Sequence, residues 1–98
     1  MKINKEKTGQ ELTFSLEGRL DTVTAPELER ELNAELDGAE ALTLDLGKLE
    51  YISSAGLRVL LSAHKEMARK GGLKILNANE IVREVFDVTG FSDILNIA

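Results

Sequence analysis

Residues Glu11–Glu17 alternate strictly, with Leu12, Phe14 and Leu16 on one face and Glu11, Thr13, Ser15 and Glu17 on the other. A period of two marks a half-buried β-strand. Lys2–Glu6 reads as its hairpin partner, joined through a turn at Thr8-Gly9-Gln10. Gly18–Val23 (GRLDTV) breaks the alternation and is expected as a loop. The period then lengthens. Leu28, Leu32 and Leu36 recur every fourth residue on a Glu-rich segment, the single apolar stripe of an amphipathic helix. Thr24 is the expected N-cap, Glu27 would complete a capping box with it, and Pro26 is tolerated in the first turn. Gly38 is the natural stop.

Ala41–Leu46 returns to strand alternation through Leu42, Leu44 and Leu46, and Gly47–Ile52 is expected as a connection. Ala55–Lys70 reads as a second helix. Leu57, Leu60, Leu61 and then Met67 or Ala68 face inward, while Arg58, Lys65, Glu66 and Arg69 face outward. Gly71-Gly72 ends it. Leu73–Leu76 is short and almost continuously apolar, as in a buried parallel strand. Asn77 or Asn79 is placed to cap a third helix, Glu80–Thr89, with Val82, Val85, Phe86 and Thr89 inward and Gly90 as its stop. Ile94–Ile97 fits either a short helix or an edge strand. The order β-β-α-β-α-β-α contains two strand–helix–strand crossovers. It predicts one α/β domain over residues 1–98: a small mixed, mostly parallel sheet, with an N-terminal antiparallel edge strand, covered by helices.

Composition narrows what such a domain does. Ninety-eight residues, 43% of them hydrophobic, build one core. The absence of Cys excludes disulfides, thiolate nucleophiles and Cys-based zinc sites, and the single His64 excludes a multi-His metal site. No cofactor is expected. No apolar run approaches the roughly 20 residues of a membrane span, and the N-terminus lacks the apolar core of a signal peptide. A cytoplasmic protein without direct membrane insertion follows as the expectation, with a monomer as the simplest state. The formal charge of −5 argues against a nucleic-acid partner. Residues 1–52 carry 6 basic and 12 acidic side chains, against 6 and 5 in residues 53–98. An acidic surface of this kind serves solubility or meets a basic protein.

Catalysis finds little support. Ser53-Ser54-Ala55-Gly56 lacks the G-x-S-x-G spacing of a nucleophile elbow. His64 lies ten residues further along the same helix, about 15 Å from Ser54 at 1.5 Å per residue, beyond hydrogen-bond reach. Asp21 and Asp45 have no second acid beside them in sequence, and no zinc, EF-hand or Walker motif occurs. Gly71-Gly72-Leu73-Lys74 runs from helix to strand, the reverse of a phosphate loop, so nucleotide binding has no motif behind it. The chain is expected not to be an enzyme. A modification site remains. Ser53 and Ser54 stand at a helix N-terminus, where unpaired N–H groups and a partial positive charge accommodate a phosphate, bringing about −1.5 to −2 charges to the surface. Simple N-capping uses the same serines. Gly56 beside them removes bulk, either for the approach of another backbone or for packing within the fold.

Leu46–Leu61 (LGKLEYISSAGLRVLL) resembles the signature of the anti-sigma factor antagonists, the small STAS-domain proteins. Gly18–Ala25 (GRLDTVTA) is similar to the family's second motif, and Phe86–Phe91 (FDVTGF) to its third. The three stand in family order and spacing along the whole chain. The resemblance implies that Ser54 is the serine phosphorylated by a partner kinase. Ser53 stands where the best-known members carry Asp and is an alternative site. It further implies a partner-binding face of Asp21, Thr22, Thr24, Ser53, Ala55, Gly56 and Arg58. The mechanism implied is partner switching: the unphosphorylated protein binds an anti-sigma factor serine kinase, phosphorylation releases it, and a PP2C-type phosphatase resets the switch. The alternative within the same fold is a non-phosphorylated STAS accessory subunit of a membrane transport complex, in which Ser54 would only cap its helix.

Overall fold

A computed structural model describes residues 1–98. Five strands, β1 (Lys2–Thr8), β2 (Glu11–Leu20), β3 (Ala41–Ile52), β4 (Leu73–Leu76) and β5 (Asn96–Ile97), form one sheet in the order β1-β2-β3-β4-β5. β1 pairs antiparallel with β2, and every other neighbour pair is parallel. Three helices, α1 (Ala25–Glu35), α2 (Ser54–Met67) and α3 (Glu80–Thr89), supply the crossovers. The expected mixed, mostly parallel sheet is present, with a third crossover added. The chain after α3 makes a 3-10 turn at Phe91–Asp93 and then the edge strand β5, which decides Ile94–Ile97.

Two segments expected as loops are strand. Gly18–Leu20 completes β2, and Gly47–Ile52 completes β3. The reason lies in the register. Ser15 pairs with Asp45 but Glu17 with Lys48, and Gly18 pairs with Leu49 but Arg19 with Tyr51. At each step β3 uses one residue more than β2, as in a β-bulge. Each extra residue resets the phase, so Leu46, Leu49 and Ile52 all stay buried although they are three apart. A strict period of two cannot follow that pattern.

The sheet has an apolar and a polar face. Leu12, Phe14, Leu16 and Leu20 of β2 and Leu42, Leu44 and Leu46 of β3 are buried and alternate with half-buried Thr13, Ser15, Thr43 and Asp45. The helices close the apolar face over a core of 25 apolar residues, and no polar residue is buried in it. In α2 the inward residue of the last turn is Met67, with Ala68 exposed and Leu61 half-buried. The helix stops before the expected Lys70. That side chain instead donates to the Leu36 and Ala39 carbonyls at 2.7 and 3.0 Å, satisfying chain ends left open after α1. In α3 Val82 and Phe86 are buried, Val85 only partly, and Thr89 is exposed. Asn79 is the cap of α3: Oδ1 accepts from Val82 N at 2.8 Å, while Nδ2 donates to Leu49 O at 2.9 Å and fastens the helix to β3.

Candidate functional site

The parallel strands β2 and β3 end side by side, and their ends carry the candidate residues. Ser53 N donates to Leu20 O at 2.9 Å, which brings the turn after β3 against the loop after β2. Ser53 is extended (φ −99°, ψ 175°) and caps α2, its Oγ accepting from Gly56 N at 3.4 Å. The helix starts at Ser54, one residue ahead of the expected Ala55. Ser54 is exposed, and its hydroxyl takes part in no hydrogen bond within the chain. Arg58, one helical turn on and therefore on the same side of α2, is also exposed.

Gly56 does not share that exposed surface. It is buried, and a Cβ added there would lie 2.6 Å from Leu20 Cγ and 3.0 Å from Ile52 Cγ1. The open question of its role resolves toward packing: the bare backbone lets α2 descend onto the ends of β2 and β3. Ala55 is half-buried next to it.

Asp21 organises the loop before α1. Its Oδ1 accepts from Val23 N at 3.0 Å and Thr24 N at 3.2 Å, and its carbonyl accepts from Ala25 N at 2.8 Å. Thr24 occupies the N-cap position with helical torsions (φ −92°, ψ −20°), and its side chain makes no cap bond. The expected capping box is absent because Thr24 Oγ1 is used elsewhere, donating to Arg19 O at 2.8 Å and accepting from Asp21 N at 2.9 Å. Asp21 thus takes over the anchoring of this helix start. The Thr24 N–H chiefly, then the Val23 N–H, the Thr24 hydroxyl and the nearby Arg19 charge hold the Asp21 carboxyl below its ordinary value, with burial acting the other way. A lowered folded value means that ionised Asp21 stabilises the loop above the unfolded value. That contribution is lost as pH falls through the folded one. A carbon-detected NMR titration is expected to place the Asp21 midpoint below 3.8; a midpoint at or above that value would contradict this hydrogen-bonded loop.

The structure therefore brings Asp21, Thr22, Thr24, Ser53, Ser54, Ala55 and Arg58 to one end of the sheet. Thr22, Ser54 and Arg58 are exposed, while Asp21, Thr24, Ser53 and Ala55 are half-buried. Two neighbours escaped the sequence reading. Arg19 and Tyr51 pair across β2 and β3, and the guanidinium carbon lies 4.7 Å from the ring centroid. Both fell in segments read as loops, where no cross-strand partner is foreseeable. The three-residue spacing of Leu46, Leu49 and Ile52 was the available signal.

This end of the sheet is a surface and not a cleft. A depression of about 570 Å³ lies over the polar sheet face among Asn4, Ser15, Glu17, Asp45 and Lys48, and Ser54 is not part of it. No cluster of three or more His, Asp or Glu side chains is placed to hold a metal ion. No helix is long and apolar enough to cross a membrane.

Comparison with known proteins matches residues 2–98 to the model of the STAS domain. BtrV of Bordetella bronchiseptica, provisionally named an anti-sigma factor antagonist, is 41% identical over all of this chain and 86% of its own. The anti-sigma-B factor antagonist of Bacillus subtilis is 28% identical over 98% of this chain and 89% of its own. Among solved structures, an anti-sigma factor antagonist from Mycobacterium paratuberculosis superposes with a TM-score of 0.89 at 26% identity, covering 98% of this chain and 83% of that one.

Proposed function

The chain belongs to the STAS domain family, and from that premise we propose that it is an anti-sigma factor antagonist switched by phosphorylation of Ser54. The names carried by its relatives, at up to 41% identity along the whole chain, support the first part. One observation carries the second: Ser53 is occupied as the cap of α2, whereas the adjacent Ser54 hydroxyl is exposed and unbonded. Of the two serines, only Ser54 can take a phosphate without giving up the helix start.

The unphosphorylated protein binds a cytoplasmic anti-sigma factor, itself a serine kinase, and so frees a sigma factor. Ser54 Oγ attacks the γ-phosphorus of ATP held by that kinase. A new O–P bond forms, the bond to ADP breaks, and the hydroxyl proton passes to a base of the kinase. The phosphoserine dianion then sits at the N-terminus of α2. The helix tolerates it, but an interface formed around a neutral hydroxyl does not, because burying an unmatched charge is costly. A PP2C-type phosphatase restores the hydroxyl with water. The protein is the substrate and the switch in this cycle and needs no catalysis of its own.

The direct test is the intact mass after incubation with the anti-sigma factor and ATP. We expect the mass of one phosphoryl group to be gained by the natural protein and by Ser53→Ala, and not by Ser54→Ala. Gain in Ser54→Ala with loss in Ser53→Ala would move the site to Ser53. No gain in any of the three, with a kinase active on another substrate, would remove the switch.

A further inference from the structure

Arg19 and Tyr51 stand opposite each other near the ends of β2 and β3, on the polar face of the sheet. At 4.7 Å from the ring centroid, the guanidinium lies well inside the roughly 6 Å range of cation–π attraction. Arg19 Nε is 3.8 Å from Asp21 Oδ2, too long for a hydrogen bond. The other oxygen of Asp21 is engaged with Val23 and Thr24. The ring and the carboxylate thus hold the guanidinium in place without using its N–H donors, and the side chain is 59% exposed. Few arrangements are better prepared to grip a carboxylate. The planar fork matches it in two parallel hydrogen bonds, and a side chain already ordered against a ring gives up little entropy on binding.

The position is as telling as the geometry. Leu20, next after Arg19, receives the N–H of Ser53, and Tyr51 precedes Ser53 by two residues. On the intervening loop Val23 is 84% exposed, an apolar contact beside a charged one. Charges near the stack in sequence or pairing are Glu17, Asp21 and Glu50 on the acidic side, and Lys48, Lys2 opposite Glu17 and the N-terminal amine of Met1 beside Gly18 on the basic side. The mixed charges leave no broad basic field, and the one ordered fork, that of Arg19, suits a single carboxylate.

We infer that the Arg19–Tyr51 stack is the anchor of the partner interface and that it receives an Asp or Glu side chain of the anti-sigma factor. The inference rests on the proposed function and adds to it the chemistry of the partner's contact. Tyr and Arg are the residue types that dominate interface hot spots, and here the two are stacked beside the switch residue.

The test is the affinity of the unphosphorylated protein for its anti-sigma factor, measured by calorimetry, with the melting temperature of every variant recorded. Arg19→Ala is expected to weaken binding about 30-fold or more, the hot-spot level, and Arg19→Glu further still. Arg19→Lys should not restore it, since an ammonium neither forks nor stacks in the same way. Tyr51→Phe should bind normally and Tyr51→Leu more weakly, with melting temperatures unchanged throughout. Replacing the partner's acidic surface residues one at a time by Arg should yield one position that rescues Arg19→Glu. A structural role for Arg19 cannot produce that rescue. Normal binding by Arg19→Glu, full activity of Arg19→Lys, or a loss matched by a fall in melting temperature would overturn the anchor. If Ser54→Asp abolishes binding while Arg19→Glu leaves it intact, the anchor alone fails. If the natural protein forms no complex with an anti-sigma factor, the functional proposal fails and the anchor with it.

Discussion

Gly56→Val is expected to unfold the domain or leave it marginal. Position 56 lies in the first turn of α2, and a Cβ there meets Leu20 Cγ at 2.6 Å and Leu20 Cδ2 and Ile52 Cγ1 at 3.0 Å. Leu20 and Ile52 are at most 1% exposed, so neither can swing out of the way. Relief requires α2 to lift from the ends of β2 and β3, which would separate Ser53 N from Leu20 O. Overpacking a close-packed core costs about 1–3 kcal/mol, more where the backbone must move. Val adds two methyl groups beyond the Cβ, so a loss above about 3 kcal/mol is expected, against a total stability of about 5–15 kcal/mol for a domain. Gly56→Ala makes the sharper comparison. Helix propensity alone favours Ala by about 1 kcal/mol, so a purely local view predicts stabilisation. The clash predicts a net loss instead. Urea denaturation of both variants decides: a Gly56→Ala protein more stable than the natural one would show that α2 does not pack as closely as described.

Ser54→Asp is expected to abolish anti-sigma factor binding while leaving the fold intact. An acid in the first turn of a helix interacts favourably with the N-terminal partial charge, by about 0.3–1 kcal/mol. The exposed hydroxyl it replaces makes no hydrogen bond in the chain. The melting temperature should therefore hold or rise slightly. In the complex the same charge is desolvated without a partner, and a loss of at least about 100-fold in affinity, or 2.7 kcal/mol, is expected. Ser54→Ala should bind as the natural protein does and be permanently active. Calorimetric titration against the anti-sigma factor reads both. Equal affinity of the Asp and Ala variants would sink the switch and favour a constitutive STAS subunit. A large drop in the melting temperature of Ser54→Asp would contradict the exposed position of Ser54.

Much of this protein was legible without coordinates because its signals are local. Leu12, Phe14 and Leu16 set the face of β2 by alternation alone, and Leu28 and Leu32 set the buried stripe of α1. Asn77 and Asn79 announced the start of α3 by type and place, and the structure chose Asn79 as the cap. The two strand–helix–strand units predict parallel pairing for the strands they join, since a helical crossover carries the chain back to the end of the sheet from which the first strand set out. The motifs from Gly18 to Ala25 and from Leu46 to Leu61 indicated the family and pointed to Ser54.

What tertiary structure alone decided are the places where a residue's partner is distant in sequence. The bulges of β3 exist relative to β2, so the strand character of Gly47–Ile52 appears only once Ser15 is paired with Asp45 and Arg19 with Tyr51. The capping box at Thr24 and Glu27 was sound by local rules. It gave way because Asp21 and the Arg19 carbonyl offered Thr24 better-placed hydrogen bonds. Gly56 could serve an interface or a core until Leu20, from a strand more than thirty residues earlier, was found against it. Ser53 and Ser54 are the same residue type, and in the sequence only the family resemblance separates them. They become a cap and a free hydroxyl only when α2 begins between them, because the first N–H groups of a helix donate to the side chain at one position and leave the next one exposed.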